Sequence, residues 1–434
     1  MPRSPKLPDG DRAILRRAPF SDNPRVGVRG QRAQQRILEA ALRVFGEVGY
    51  HECGVLRITE VAGCSRAAFY QYFSSKEDVF RHLAGQVARQ LRASAEAMGP
   101  ITADADGWST LRGWIERHGA IYDRYEPVFE VFQAAAESDE AVAMGASRTG
   151  ERNLAGILGK VVGSTLPTRH AEPALSLLIE SVSRTHHIAG VLRAGLPASA
   201  YRRSRVDDAL TDVFHRTLFG LDPDVNVRPP LTRRPPRARL GPVVLEGLQV
   251  GEERAGLTPT GARTLAALLD AGHAVLVARG YHGTRVDDIT EKAGVSHGAF
   301  YRYFDNKDHL IRVLAVRAMR TVSMALAEIP DDAGAAALRQ WLRKYNRTHA
   351  AEMAMIRVWA DATADDPSLR VESAAAVDWG RSRMVRFLER RGFGDVDTEA
   401  VALVAVLEAF ATRRQTAAAV DGAAVVLERG FLGR

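Results

Sequence analysis

The sequence predicts an all-α protein built from two copies of one helical unit fused end to end. Residues 49–83, GYHECGVLRITEVAGCSRAAFYQYFSSKEDVFRHL, align without a gap to residues 280–314, GYHGTRVDDITEKAGVSHGAFYRYFDNKDHLIRVL, at an offset of 231 with 18 of 35 positions identical. A period this long is not a solenoid unit, which runs roughly 20–50 residues, so a whole domain is duplicated. Outside the repeat, apolar residues recur at helical spacing, and no strand-rich segment surrounds either copy. At 434 residues the chain also exceeds what one core serves.

The elements follow in chain order. Residues 1–36 carry nine Lys or Arg against three Asp, a basic, proline-containing stretch expected to lack regular structure. QQRILEAALRVFGEVGY at 34–50 reads as the helix leading into the first copy. The repeated motif is best argued on the second copy. Val286, Ile289 and Ala293 share one face of a short helix, and Gly294 ends it where the backbone turns sharply. Ser296 caps a second helix, which buries Phe300 and Phe304 and turns His297, Tyr301 and Arg302 outward. The first copy matches with Val55, Ile58, Ala62, Gly63, Ser65, Phe69 and Phe73, leaving Arg66, Tyr70 and Gln71 outside. Two helices joined by a short glycine turn form a DNA-binding unit. Helices are then expected over 107–137, kinked or restarted at Pro127, and over 174–192 and 206–220. RPPLTRRPPRAR at 228–239 has five Arg and no acid, and separates the copies. Both basic stretches are arms that reach phosphate, or linkers whose charge keeps the chain soluble. TLAALLDAGHAVLVARGY at 264–281 precedes the second copy, and helical patterns recur from AAALRQWLRKYNRTH to the C-terminal segment.

AGVSHGAFYRYFDNKDHL resembles the signature of the tetracycline-repressor (TetR) family of one-component bacterial regulators, and the helix upstream of each copy fits it too. The resemblance implies a three-helix DNA-binding domain followed by a larger helical ligand-binding and dimerisation domain. The expected organisation is a basic arm at 1–30, a first head at 31–84, a helical domain at 85–221, a linker at 222–257, a second head at 258–315 and a second helical domain at 316–434. Carried over by position, Tyr70, Tyr72 and Lys76, and Tyr301, Tyr303 and Lys307, match the family's phosphate contacts. Arg66, Ala67 and Gln71 in one head, and His297, Gly298 and Arg302 in the other, match its base readers. Ser65, Ser296 and Thr284 complete the expected DNA-facing set. The copies thus agree where phosphate is gripped and differ where bases are read. The first copy also carries Cys53-Gly54 in place of Thr284-Arg285, losing a capping hydroxyl and a phosphate contact, and Ala67 in place of Gly298.

In the family the last two long helices form a four-helix dimer interface. Here 174–192 and 206–220 are expected to pair with 398–416 and 421–432, making the chain its own partner. The implied partner is a double-stranded DNA operator with two unlike half-sites, bound by one chain as a covalent pseudo-dimer. The alternative is a conventional homodimer on a palindrome, in which one head reads DNA and the other is structural. A small apolar effector is implied by the family alone. Candidate pocket residues are Trp114, Tyr125 and Phe129, with Trp108, Tyr122 and Phe132, in the first half, and Trp341, Tyr345 and Trp359, with Met353 and Met355, in the second. Such stripes also occur as ordinary core.

Other chemistry is weakly supported. Gly294-Val295-Ser296-His297-Gly298 spells the G-x-S-x-G of a hydrolase elbow, but that elbow needs a strand entering the turn. His186 and His187 are adjacent, hence on different helix faces, and no metal or cofactor is expected. Only Cys53 and Cys64 occur, and neither an apolar run of membrane length nor a secretory leader is apparent, which fits a cytoplasmic protein.

Overall fold

The computed structural model describes residues 27–50, 53–138, 140–195, 201–230, 257–330, 334–364 and 367–434; the first 26 residues of the basic arm and the linker stretch 231–256 lie outside them. Among the described residues every regular element is a helix, apart from one isolated bridge between Ile101 and Val161. The chain divides into two compact units. The smaller holds Met1–Gln90 with Tyr125–Ser147, and the larger holds Leu91–Arg124 with Arg148–Arg434.

The smaller unit is built on α1 (Val28–Val48), α2 (Val55–Ala62), α3 (Arg66–Tyr72) and the start of α4 (Lys76–Glu96). Ile37, Leu38, Ala41, Val44 and Phe45 form the buried stripe of α1, which packs on α2, and Ile58, Phe69, Phe73, Phe80 and Leu83 are buried as well. Its remaining part comes from α5 (Ala105–Ser138) and α6 (Glu140–Leu158). α5 leaves helical geometry at Tyr125 (φ −117°, ψ 22°), two residues before Pro127. A proline ring collides with the carbonyl four residues back and lacks an N–H, so the helix breaks there. Buried Tyr125 accepts a hydrogen bond from Gln90 Nε2 (2.8 Å) and donates one to Gln86 Oε1 (3.3 Å), fastening the kinked segment to α4.

In the larger unit, α7 (Thr168–Gly195) and α8 (Arg203–Phe219) close the first half. The second half runs through α9 (Pro259–Arg279), α10 (Val286–Ala293), α11 (His297–Tyr301), α12 (Lys307–Ala327), α13 (Ala335–Ala364), α14 (Pro367–Glu389), α15 (Val396–Ala411) and α16 (Ala417–Val425), ending in a π-helical turn, Val426–Phe431. α9 has the length and apolarity of a membrane span, unlike the sequence expectation, but Leu265, Leu268, Leu269 and Leu276 on it belong to the core of the second head.

The main core lies where α7 packs on α14, α15 and α16 and α8 packs on α15 and the π turn. Small residues permit the close approach: a Cβ on Gly430 would stand 2.5 Å from Thr217 Oγ1, and one on Gly422 2.8 Å from Pro173. The two halves meet through matched contacts. The closing segments RTLFG (216–220) and RGFLG (429–433) make Arg216 and Arg429 counterparts. Arg216 Nε donates to the Gly430 carbonyl (2.7 Å), and Arg429 Nε donates to the Thr217 carbonyl (2.9 Å). Within each half an arginine joins the last helix in the same way, Arg112 to Asp208 (2.6 Å) and Arg339 to Asp421 (2.5 Å).

Candidate nucleic-acid interface

Both heads turn on the same local chemistry. Gly63 (φ 62°) and Gly294 (φ 66°) end α2 and α10 in the left-handed region that side-chain-bearing residues avoid. The amides of Cys64 and Val295 return to the carbonyls of Thr59 and Thr290 at 3.0 and 3.1 Å, closing the turn. Ser65 and Ser296 then cap α3 and α11, their hydroxyls accepting from the amides of Ala68 (3.1 Å) and Ala299 (3.3 Å). Ser296 is therefore a helix cap between two helices, without the strand a hydrolase elbow requires. Phe69 with Phe73, and Phe300 with Phe304, anchor these helices inward. Arg66, Ala67 and Gln71, and His297, Gly298 and Arg302, are all exposed.

The outward faces diverge. α3 has seven residues, but α11 only five, with Arg302 already beyond its last helical residue. Gly298 in place of Ala67 contributes, since glycine costs a helix about 1 kcal/mol relative to alanine. His297 Nε2 meets Asp287 Oδ1, reaching back to α10, and its ring lies 6.0 Å from exposed Tyr301. The matching pair in the first head is Arg66 and Leu56, the latter 58% exposed. Asp288 Oδ2 accepts from the Arg285 amide (2.9 Å), and Arg279 reaches Oδ1; these contacts, in that order, hold its carboxyl below the ordinary value. Sequence reasoning missed position 56/287, although the Leu-to-Asp change on the outward side of the preceding helix was its available signal.

Several residues expected to face DNA have partners within the protein. Thr284 is buried, and its hydroxyl donates to the Gly280 carbonyl (2.8 Å) rather than capping α10. Cys53 is equally buried, so the exchange is between two small interior side chains. Tyr303 is also buried, its hydroxyl donating to the Gly261 carbonyl (3.0 Å), while Tyr72 is half-buried. Lys307 Nζ donates to the carbonyls of Tyr281 (2.8 Å) and Thr284 (3.1 Å), and Lys76 Nζ to that of Tyr50 (2.9 Å). Each ammonium also lies over the ring of that tyrosine. Both lysines thus tie a helix start to the preceding turn, and burial pushes the Lys307 ammonium pKa down. Burial pushes both cysteine thiols up, which disfavours the thiolate.

The family model of the bacterial regulatory proteins of the tetR family matches residues 37–83 and 268–314. The tetR-family model thus matches the chain twice, once in each head. Among relatives, an HTH-type transcriptional repressor named AcnR from Corynebacterium diphtheriae is 35% identical over 96 residues, 21% of this chain and 47% of its own. AcnR from Corynebacterium glutamicum is 34% identical over 84 residues, 19% of this chain and 41% of its own. The repressor NicS from Pseudomonas putida is 27% identical over 167 residues, 37% of this chain and 74% of its own. The chain thus spans just under half the length of the AcnR proteins it matches.

The aromatic pocket candidates are spread over several packing environments. Tyr125 is the α4–α5 clamp of the smaller unit, and Phe129 lies half-buried near it in sequence. Trp114, Trp341 and Tyr345 are in the large core, where Trp341 Nε1 donates to the Ala325 carbonyl (2.9 Å) and its ring stacks on Tyr345 (5.5 Å). Trp359 instead fills the core of the second head, with Met355. The first half also buries polar groups. His118 Nε2 meets Ser183 Oγ (2.8 Å), and burial pushes this histidine down to about 4. Burial pushes Asp207 up to about 6 despite nearby Arg112 and Arg203.

Proposed function

We propose that this protein is a sequence-specific DNA-binding transcriptional regulator, a repressor, in which one chain fills an operator of two unlike half-sites. The observation that carries the reading is the presence of two complete heads with matched scaffolds but different exposed residues: Arg66, Ala67 and Gln71 against His297, Gly298 and Arg302. Arg bonds two acceptors of guanine and Gln bonds adenine in the major groove, so the heads favour different base pairs. Tyr70 and Tyr301, rather than Tyr303, are the better placed of the tyrosines for phosphate. The reciprocal bonds Arg216 to Gly430 and Arg429 to Thr217 support the single-chain reading, because a two-fold interface is made of such exchanged contacts. A small-molecule effector in the helical halves releases DNA by favouring a geometry in which the heads no longer fit successive major grooves. This activity belongs in the cytoplasm, with DNA.

The second reading, a homodimer on a palindrome read by the first head alone, draws support from the shorter α11 and the engagement of His297 by Asp287. Affinity selection of sheared genomic DNA, with mass of the bound complex, separates them. A motif with unlike halves and one chain per site is expected. A palindrome bound by two chains establishes the second reading, and no enrichment at low salt overturns DNA binding.

A further inference from the structure

We infer that the two helical halves select each other, rather than copies of themselves, through a buried arginine–glutamate–arginine triad completed only by the unlike pairing. This rests on the single-chain reading above and adds to it a rule for partner choice. Arg216 comes from α8 of the first half, and Glu399 and Arg391 come from the second. Arg216 Nη2 lies 2.5 Å from Glu399 Oε2, and Arg391 Nη1 lies 2.8 Å from the same oxygen. All three side chains are buried. Arg216 spends its other donors on the carbonyls of Gly430 and Asn226 (both 2.7 Å), and Arg391 on those of Phe393 (2.9 Å) and Phe431 (2.5 Å).

The matched geometry breaks at this point. Arg429, the counterpart of Arg216, reaches the Thr217 carbonyl and Thr165 Oγ1 and, among the described residues, no carboxylate. A buried ion cluster contributes little net stability, because desolvation offsets its attraction, but removing one member leaves a buried charge uncompensated. Its best-attested use is to fix register and partner. Two first halves brought together in this geometry lack Glu399 and leave Arg216 without the carboxylate it bonds in the unlike pair. Shape gives the same answer independently. At the helix crossing Gly430 faces Thr217, and a Cβ there would stand 2.5 Å from Thr217 Oγ1. A first half against a first half brings two threonines to that crossing, where the unlike pair has a threonine and a glycine.

The test uses the full chain with a protease site inserted in 231–256, cut after folding, with the fragments unfolded and refolded together. Native mass spectrometry then reads which halves pair. Unlike pairs alone are expected from the otherwise wild-type protein, and like pairs are expected to appear beside them in the variant R216M/E399M/R391M/T217G, which removes the charged triad together with the threonine–glycine difference at the crossing. A statistical mixture from the wild-type sequence overturns the proposal, even where the variant does not fold. Exclusive unlike pairing by the folded variant also overturns it. Failure of the DNA-binding reading registers separately, as absent enrichment in the genomic selection with fragment pairing unchanged.

Discussion

At the scale of the residue, the heads differ most usefully where two outward side chains meet. Asp287 places a carboxylate on the face proposed to meet DNA, and its contact with His297 fixes that imidazole against α10. Asp287→Ala is expected to change the base preference at one position of one half-site and leave the other half-site as it was. Parallel DNA selections on the two proteins check this, and identical motifs would remove Asp287 from the readout. Lys307 is structural as well as cationic, since Lys307→Met leaves two carbonyls of the preceding turn without their donor. A loss of about 1–3 kcal/mol is expected from denaturant unfolding, beside weaker binding to every DNA sequence. Asp212 supplies a pH signature. It is fully buried, and burial lifts its carboxyl from 3.8 to about 7 although Arg216 and Arg228 pull it down. The folded state therefore holds this proton over a range where the unfolded chain releases it. Stability from this group is greatest at acid pH and falls as pH rises from about 4 to about 7. Asp212→Asn, which still offers an oxygen to Trp108 Nε1, should flatten that slope in melting temperature against pH.

At the scale of the element, both recognition helices depend on the turn before them more than on their own propensity. Seven- and five-residue helices are too short to stand alone in water, so tertiary packing and capping set them. Gly294→Ala forces a side chain into the left-handed region at about 1–2 kcal/mol. Its expected result is a lower unfolding midpoint together with weakened binding at the second half-site only. Unaltered stability would mean the turn relaxes to another geometry. The kink in α5 follows the same logic, because Pro127 breaks the helix and Tyr125 then spends its hydroxyl on two glutamines of α4. The tyrosine that reads as a pocket wall in the sequence is a strut.

At the scale of the whole molecule, salt dependence tests whether both heads engage DNA together. Each phosphate neutralised contributes a slope of about −0.9 to log affinity against log salt concentration. With Arg302 changed to Ala, which removes a cation from the exposed face of the second head, the slope should become shallower if one chain grips with two heads. A slope indistinguishable from wild type would assign all the contacts to the first head.

The duplicated motif, its turns at Gly63 and Gly294 and the inward phenylalanines were legible because each is written in local spacing and in residues with strong backbone preferences. The match to the tetR-family model falls on the same stretch, which is continuous in the chain. Side-chain assignments that depend on distant neighbours were not legible. Tyr303 is buried because its hydroxyl finds a carbonyl 42 residues away, and Trp359 separates from Trp341 because a long helix carries them into different cores. The triad of Arg216, Glu399 and Arg391 is likewise invisible to periodicity, since its members meet across 183 residues of chain between Arg216 and Glu399. Sequence determined where helices start, turn and stop, because those are local free energies. Only tertiary structure decided which polar groups are buried together, because desolvation depends on everything packed around them.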